Sequence, residues 1–182
     1  MKKLIPAMSI GALMALASLG AQAADGTITI TGTVTDTTCS INGGTAGAAF
    51  NKTIVLPTVT ASSLRALGET AGTSQPADLE FKLTSCSSGT KAIASFENGP
   101  LIDQGNGNLI NTGTAKNVQV QLLNANMAPI NVTTNSNNQL ATDGGAISGG
   151  AADLKYYARY FATGQAEAGT VNTSVQFSMQ YQ

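Results

Sequence analysis

The sequence predicts an all-β sandwich of antiparallel sheets, and three observations lead there. Apolar side chains recur with a period of two in many short runs, the spacing of strands with one buried face. Clusters of Gly, Asn, Asp and Pro separate those runs as turn signals. The last run, Gly169 to Gln182, alternates up to its final residues, with Val171, Val175, Phe177, Met179 and Tyr181 on one parity. A strand in that position has no later segment to pair with, and open sheet edges are normally blunted or covered. Something outside the run is expected to cover it.

Taken in order, Gly26 to Val34 puts Ile28, Ile30, Gly32 and Val34 on one side and threonines on the other, a strand of high β-propensity. Thr37 to Ile41 reads as a second short strand around Cys39, and the small residues of Gly43 to Ala49 read as a loop. Asn51 to Leu56 is expected as another strand, stopped by Pro57. Ala61 to Leu67, with Ser62, Ser63 and the following Gly68, predicts one or two helical turns with a serine cap and a glycine stop. Leu79, Phe81 and Leu83 alternate toward Cys86, and Ala92 to Phe96 is a strand ended by Asn98-Gly99-Pro100. Asp103 to Asn108 is a turn, Val118, Val120 and Leu122 alternate again, and Met127 to Val132 is a short apolar piece around Pro129. Thr133 to Gly150 reads as a long surface loop. Leu154 to Phe161 is an aromatic strand that Gly164 to Gly169 turns into the terminal one.

The first residues have the pattern of an export leader. Lys2 and Lys3 precede a mostly apolar run from Leu4 to Leu19, and Ala21-Gln22-Ala23 is an A-x-A processing site. Residues 1–23 are therefore expected to be removed, and no later apolar run has the roughly 18 residues of a membrane span. Removing Lys2 and Lys3 leaves seven basic against ten acidic residues, a net charge of −3. That balance argues against a nucleic-acid partner, which calls for a basic patch. Export also puts the two cysteines, Cys39 and Cys86, in an oxidising compartment, which predicts a disulfide between them. Closing that loop of about 48 residues stabilises the fold by roughly 4 kcal/mol in the chain-entropy model.

Catalytic chemistry has no support in the residues. The chain has no histidine, which removes His-dependent acid–base catalysis, Ser–His triads and most metal sites, and no C-x-x-C pair. The carboxylates are scattered without a shared motif and read as solvated surface charge. No cofactor, metal or enzymatic activity is expected.

The N-terminal run is as strictly alternating as the terminal one. Burying Ile28, Ile30 and Val34 would contribute roughly 5–9 kcal/mol gross. Gly32 interrupts the row, and a strand glycine often marks close approach of another chain. Period and propensity alone leave two readings open: the first strand of its own domain, or an arm for another molecule.

Gly32-Thr33-Val34 leading to Cys39, the second cysteine Cys86, and Tyr157-Ala158-Arg159-Tyr160 followed by Ala162-Thr163-Gly164 occur in a distinctive order. So do a glycine fourteenth from the end, Gly169, and a penultimate aromatic, Tyr181. In these features the chain resembles the fimbrial (pilin) subunits of chaperone–usher pili, those of type 1 pili in particular. The resemblance implies an immunoglobulin-like sandwich lacking its seventh strand, with residues 24–35 as a donor-strand arm and 36–182 as the pilin domain. It implies a hydrophobic groove beside the terminal strand, filled first by a periplasmic chaperone, which anchors the carboxylate of Gln182 with basic residues. The arm of the next subunit then replaces the chaperone at an outer-membrane usher, a form of strand addition for which chaperone–pilin complexes are a known example. The implied product is a homopolymeric surface filament used in adhesion, with neighbouring subunits as partners and no membrane insertion. A major shaft subunit is expected; a minor adaptor and a single-domain carbohydrate-binding adhesin are the alternatives.

Overall fold

The computed structural model describes residues 38–182. The expected leader 1–23, the arm 24–35 with Ile28, Ile30, Gly32 and Val34, and the strand over 26–34 lie outside the described residues. In chain order the strands are β1 Ser40–Ile41, β2 Thr70–Ala71, β3 Leu79–Thr84, β4 Lys91–Phe96, β5 Leu109–Ile110, β6 Lys116–Leu123, β7 Gly145–Ala146, β8 Ala152–Glu167 and β9 Phe177–Tyr181. A 3-10 turn at Ala61–Ser63 and one helical turn, α1 Leu140–Asp143, complete the regular structure of these residues.

β8 organises the larger sheet because its 16 residues are long enough for three partners, about 53 Å at strand rise. β3 pairs antiparallel with its first part, from Leu79↔Tyr156 to Leu83↔Ala152. β2 pairs farther along, Thr70↔Phe161 and Ala71↔Tyr160. β6 pairs from Val118↔Ala162 to Leu123↔Tyr157, after a bulge where Asn117 adopts a positive φ of 58°. β1 and β5 flank β3 and β6. The smaller sheet has the order β7-β4-β9, and both of its pairings are antiparallel.

Alternation puts Phe81 and Leu83, Val120 and Leu122, and Leu154, Tyr156 and Ala158 in the core, which Ala92 to Ala94 and Phe96 of β4 join from the smaller sheet. Phe81 sits at its centre, with ring centroids 5.9 Å from Tyr156 and 4.8 Å from Phe177. The Cys39–Cys86 disulfide forms as expected. It ties the start of β1 to the segment after β3, beside the Ser40↔Thr84 pair.

Several expectations are corrected. Residues 51–56 form no strand, and no other described strand pairs with them in a ladder. The helix expected over 61–67 shrinks to Ala61–Ser63, with Thr60 rather than a serine at the cap. The Glu69 carboxylate takes the N–H groups of Arg65 and Ala66 instead, closing a turn that Gly68 leaves at a φ of +90°. The loop over 133–150 contains α1 and β7, because Asp143 accepts the Gln139 N–H and β7 pairs with Lys91 and Ala92. The aromatic strand does not turn at Gly164; β8 continues to Glu167, carried by pairing with Lys116. Two-residue strands β2 and β5 are too short to show a period. Met127 to Val132 returns along the end of β6 without becoming a strand, held by Ile130 N–H to Leu122 and by the Leu123↔Pro129 bridge.

Candidate functional site

The terminal segment keeps its alternation from Val171 to Gln182, odd residues half-buried and even residues exposed. Its apolar row points at the core: Val171, Val175, Phe177, Met179 and Tyr181 all pack against buried core residues. None of the five reaches full burial. A strand with one side on a core and a fully satisfied environment would bury that row; here the row is aimed correctly and only half covered.

The backbone shows where the cover is incomplete. Among the described strands, β9 is hydrogen-bonded to β4 alone. Glu97 N–H donates to the Gln176 carbonyl and Gln182 N–H donates to the Lys91 carbonyl. The even residues therefore turn their peptide groups toward β4. In an antiparallel ladder the alternate residues turn theirs the other way, so the N–H and C=O groups of Phe177, Met179 and Tyr181 face the open edge. Segment 49–56 also lines the space at that edge, and its peptide groups make no backbone hydrogen bond to any other described residue. Ile54 and Leu56 dip toward the core while Val55 is 83% exposed.

Between these two bare rims lies an open groove of about 1040 Å³. Its floor is core: Leu79, Phe81, Leu109, Val120, Leu122 and Ala158. One wall is 171–177 with Met179 and Tyr181, and the other is 47–56 with Cys39 and Ile41. From Val171 to Tyr181 the strand rise gives a length of about 33 Å. Thr173 is the one polar member of the row, and its hydroxyl is buried without a hydrogen-bond partner among the described residues. Burial raises the pKa of the Tyr181 phenol, with the Cys39 backbone acting in the opposite sense. The Gln182 carbonyl is taken by the N–H groups of Thr90 and Lys91 and by the Thr90 hydroxyl.

Gly169 begins the terminal segment, and the structure gives a steric reason for glycine there. A Cβ at Gly169 would sit 2.3 Å from the Ala115 nitrogen and 2.6 Å from the Thr114 carbonyl carbon. These are backbone atoms that no rotamer change can move aside. The close approach seats residues 170–172 against the turn 111–115, so that Ala115 N–H donates to the Thr170 carbonyl and Thr112 N–H to the Asn172 carbonyl. The terminal segment thus leaves the larger sheet's side at 172 and joins the smaller sheet at 176.

Sequence reasoning found the row on the terminal strand and missed the opposite rim, having assigned 51–56 to an ordinary paired strand. It also missed Thr173, which shares the parity of the apolar row, and Asn111, whose role depends on a contact 61 residues away. Among the described residues no cluster of His, Cys, Asp and Glu could hold a metal ion. In chemical terms, such a groove suits an extended peptide, its main chain along the edge and alternate side chains on the apolar floor.

The family model for fimbrial proteins matches residues 28–182. The chain belongs to the fimbrial protein family. The major fimbrial subunit SMF-1 of Stenotrophomonas maltophilia (strain K279a) is 41% identical over 180 residues, covering 93% of this fimbrial protein and 99% of the relative. The minor fimbrial subunit HifD of Haemophilus influenzae is 31% identical, covering 93% of this chain and 80% of its own. Among solved structures, a subunit in a chaperone–usher pilus superposes with a TM-score of 0.59 at 21% identity, covering 87% of this fimbrial protein and 96% of that chain. At that identity the likeness concerns the fold, and the immunoglobulin-like sandwich is the fold the two share.

Proposed function

We propose that this fimbrial protein is the major shaft subunit of a chaperone–usher pilus and polymerises head to tail by donating its N-terminal arm to a neighbour's groove. One observation carries the reading: an apolar groove whose rims have peptide groups without partners among the described residues, in a chain whose sequence also holds a second strictly alternating segment. Residues 24–35 would extend about 40 Å, enough to span the roughly 33 Å from Val171 to Tyr181. Ile28, Ile30 and Val34 lie on one parity and match the spacing of the acceptor row, with Gly32 between them. Main-chain hydrogen bonds to Phe177, Met179 and Tyr181 supply affinity, and the alternate side chains supply register.

In this scheme the leader 1–23 is removed on export and a periplasmic chaperone covers the groove until assembly. At the outer-membrane usher the arm of the next subunit takes its place. Donor arm and acceptor groove are different surfaces of one molecule, which gives an open filament rather than a closed ring. The filament stands outside the cell and serves adhesion. Support for the shaft role comes from the likeness to a subunit described as major; the minor relative makes the adaptor the second reading.

Deleting residues 24–34 tests the proposal. The truncated subunit is expected to be exported and to leave cells without filaments under electron microscopy. Filaments of ordinary length built from the truncated subunit would overturn the donated arm. Shortened or tipless filaments on cells lacking the whole gene would favour the adaptor.

A further inference from the structure

The groove has two halves held by different means. The Phe177–Tyr181 half rests on a regular ladder with β4. The Val171–Val175 half has no ladder with any described strand. Thr173, Ser174 and Val175 make no backbone hydrogen bond to other described residues, and the fixed points on either side are Gln176 and the stretch 170–172.

Beside the backbone bonds from Thr112 and Ala115 and the hydroxyls of Thr112 and Thr114, that stretch is held by the side-chain amide of Asn111. Asn111 Oδ1 accepts from the N–H groups of Gly113 and Asn172, each at 2.8 Å. Its Nδ2 donates to the Ala115 carbonyl at 2.9 Å and to the Thr170 carbonyl at 3.4 Å. An amide has two donors and two acceptor lone pairs, so these four contacts use its full capacity. Thr114 adds a second fastening, its Oγ1 accepting from the Thr170 N–H at 2.9 Å. Val171, between the two fastened residues, packs against both buried clusters of the core. Gly113 has no room for a Cβ, which would fall 2.2 Å from the Thr170 oxygen.

We propose that Asn111 is a positioning residue for strand acceptance: it pins 170–172 so that Val171, Thr173 and Val175 extend the acceptor edge, and so sets how long a strand the groove engages. This rests on the reading of the groove as a strand acceptor. Without the Asn111 amide the β4-paired half remains, while the upper half rests on the bonds from Thr112, Thr114 and Ala115 and is held less firmly in line. The consequence is specific. The affinity for residues of a donor that lie beside 171–175 falls, while affinity for those beside 177–181 is retained.

The test uses the disulfide-intact mature chain, residues 24–182, refolded with an excess of labelled synthetic peptide. Three peptides are compared: residues 24–35, and versions shortened from either end. In the wild-type chain both shortened peptides dissociate faster than the full one. In Asn111→Ala the full peptide dissociates about tenfold faster, the equivalent of one or two net hydrogen bonds. One of the two truncations then makes no further difference, because the half of the groove it addressed no longer engages. Thr114→Val, at an exposed position, removes the hydroxyl's contacts to the Thr170 N–H and hydroxyl without removing the turn and is expected to give the same pattern at smaller size. If both truncations keep their full penalties in both variants, Asn111 has no positioning role. If no peptide binds the wild-type chain, the strand-acceptor reading itself fails, a result separate from loss of the length dependence.

Discussion

Replacing Gly169 with alanine gives a sharp test of how the terminal segment is seated. The φ of Gly169 lies outside the left-handed region, so an alanine there meets no backbone strain. Its new methyl meets the Ala115 nitrogen at 2.3 Å, the Thr114 carbonyl carbon at 2.6 Å and the Ala115 Cα at 2.7 Å. Ordinary contact begins near 3.4 Å, so one backbone must retreat from the other by about 1 Å. Three hydrogen bonds cross that seam close to the methyl: Ala115 N–H to the Thr170 carbonyl, Thr170 N–H to Thr114 Oγ1, and Thr114 N–H to Thr170 Oγ1. At about 1 kcal/mol net for each, their loss comes to roughly 3 kcal/mol, and the crowding of a filled site alone costs about 1–3 kcal/mol. The two overlap, so about 3 kcal/mol is expected, roughly a hundredfold in the folding equilibrium. The assay is guanidinium unfolding of the disulfide-intact mature chain, with Gly99→Ala as control, since a Cβ there meets nothing within 4 Å. A Gly169→Ala midpoint indistinguishable from that of the control would refute the steric account.

Phe81→Ala removes the ring that touches Phe50, Tyr156 and Phe177, and is expected to cost about 3–5 kcal/mol in the same unfolding assay. Because Phe177 loses a floor contact, the variant is also expected to capture donor peptide more weakly than a surface control. Burial pushes the Tyr156 phenol up to about 12, opposed by the Ala94 N–H that donates to its oxygen. The unfolded chain therefore ionises first, so this group's contribution is complete below about pH 10 and declines as pH rises toward 12. Phenolate absorbance is expected to show a late-titrating tyrosine that Tyr156→Phe abolishes. That variant also leaves the Ala94 N–H unpaired in the core, at a cost of about 1–3 kcal/mol.

Strict alternation was the most reliable signal in the sequence. It placed β3, β6 and the terminal row, whereas β4, buried from Ala92 to Phe96 without a period, was marked by the turn cluster that ends it. The disulfide followed from two cysteines and the export that the leader pattern predicts. What escaped prediction depends on partners distant in sequence. Residues 51–56 have the composition of a strand and lack a described partner, so composition could not separate a paired strand from a bare rim. β8 runs past Gly164 because Glu167 meets Lys116 across the sheet, although its own residues read as a turn. Gly169 was legible as a feature of the family pattern, while its cause, the approach of Thr114 and Ala115, is visible only in three dimensions. Asn111 stands in a stretch rich in Asn, Thr and Gly where nothing local distinguishes it from its neighbours.

Amide hydrogen exchange on β9 addresses the central claim most directly. An isotopically labelled chain lacking residues 24–34 serves as acceptor, and an unlabelled full mature chain is added as donor. Before addition, Ser178 and Gln180, which face β4, are expected to be protected while Phe177, Met179 and Tyr181 exchange rapidly. After addition these three become protected as well, since their outward N–H groups gain partners from the other molecule's arm. If Phe177, Met179 and Tyr181 exchange equally fast with and without the donor, no strand enters the groove and the proposed mode of assembly is wrong.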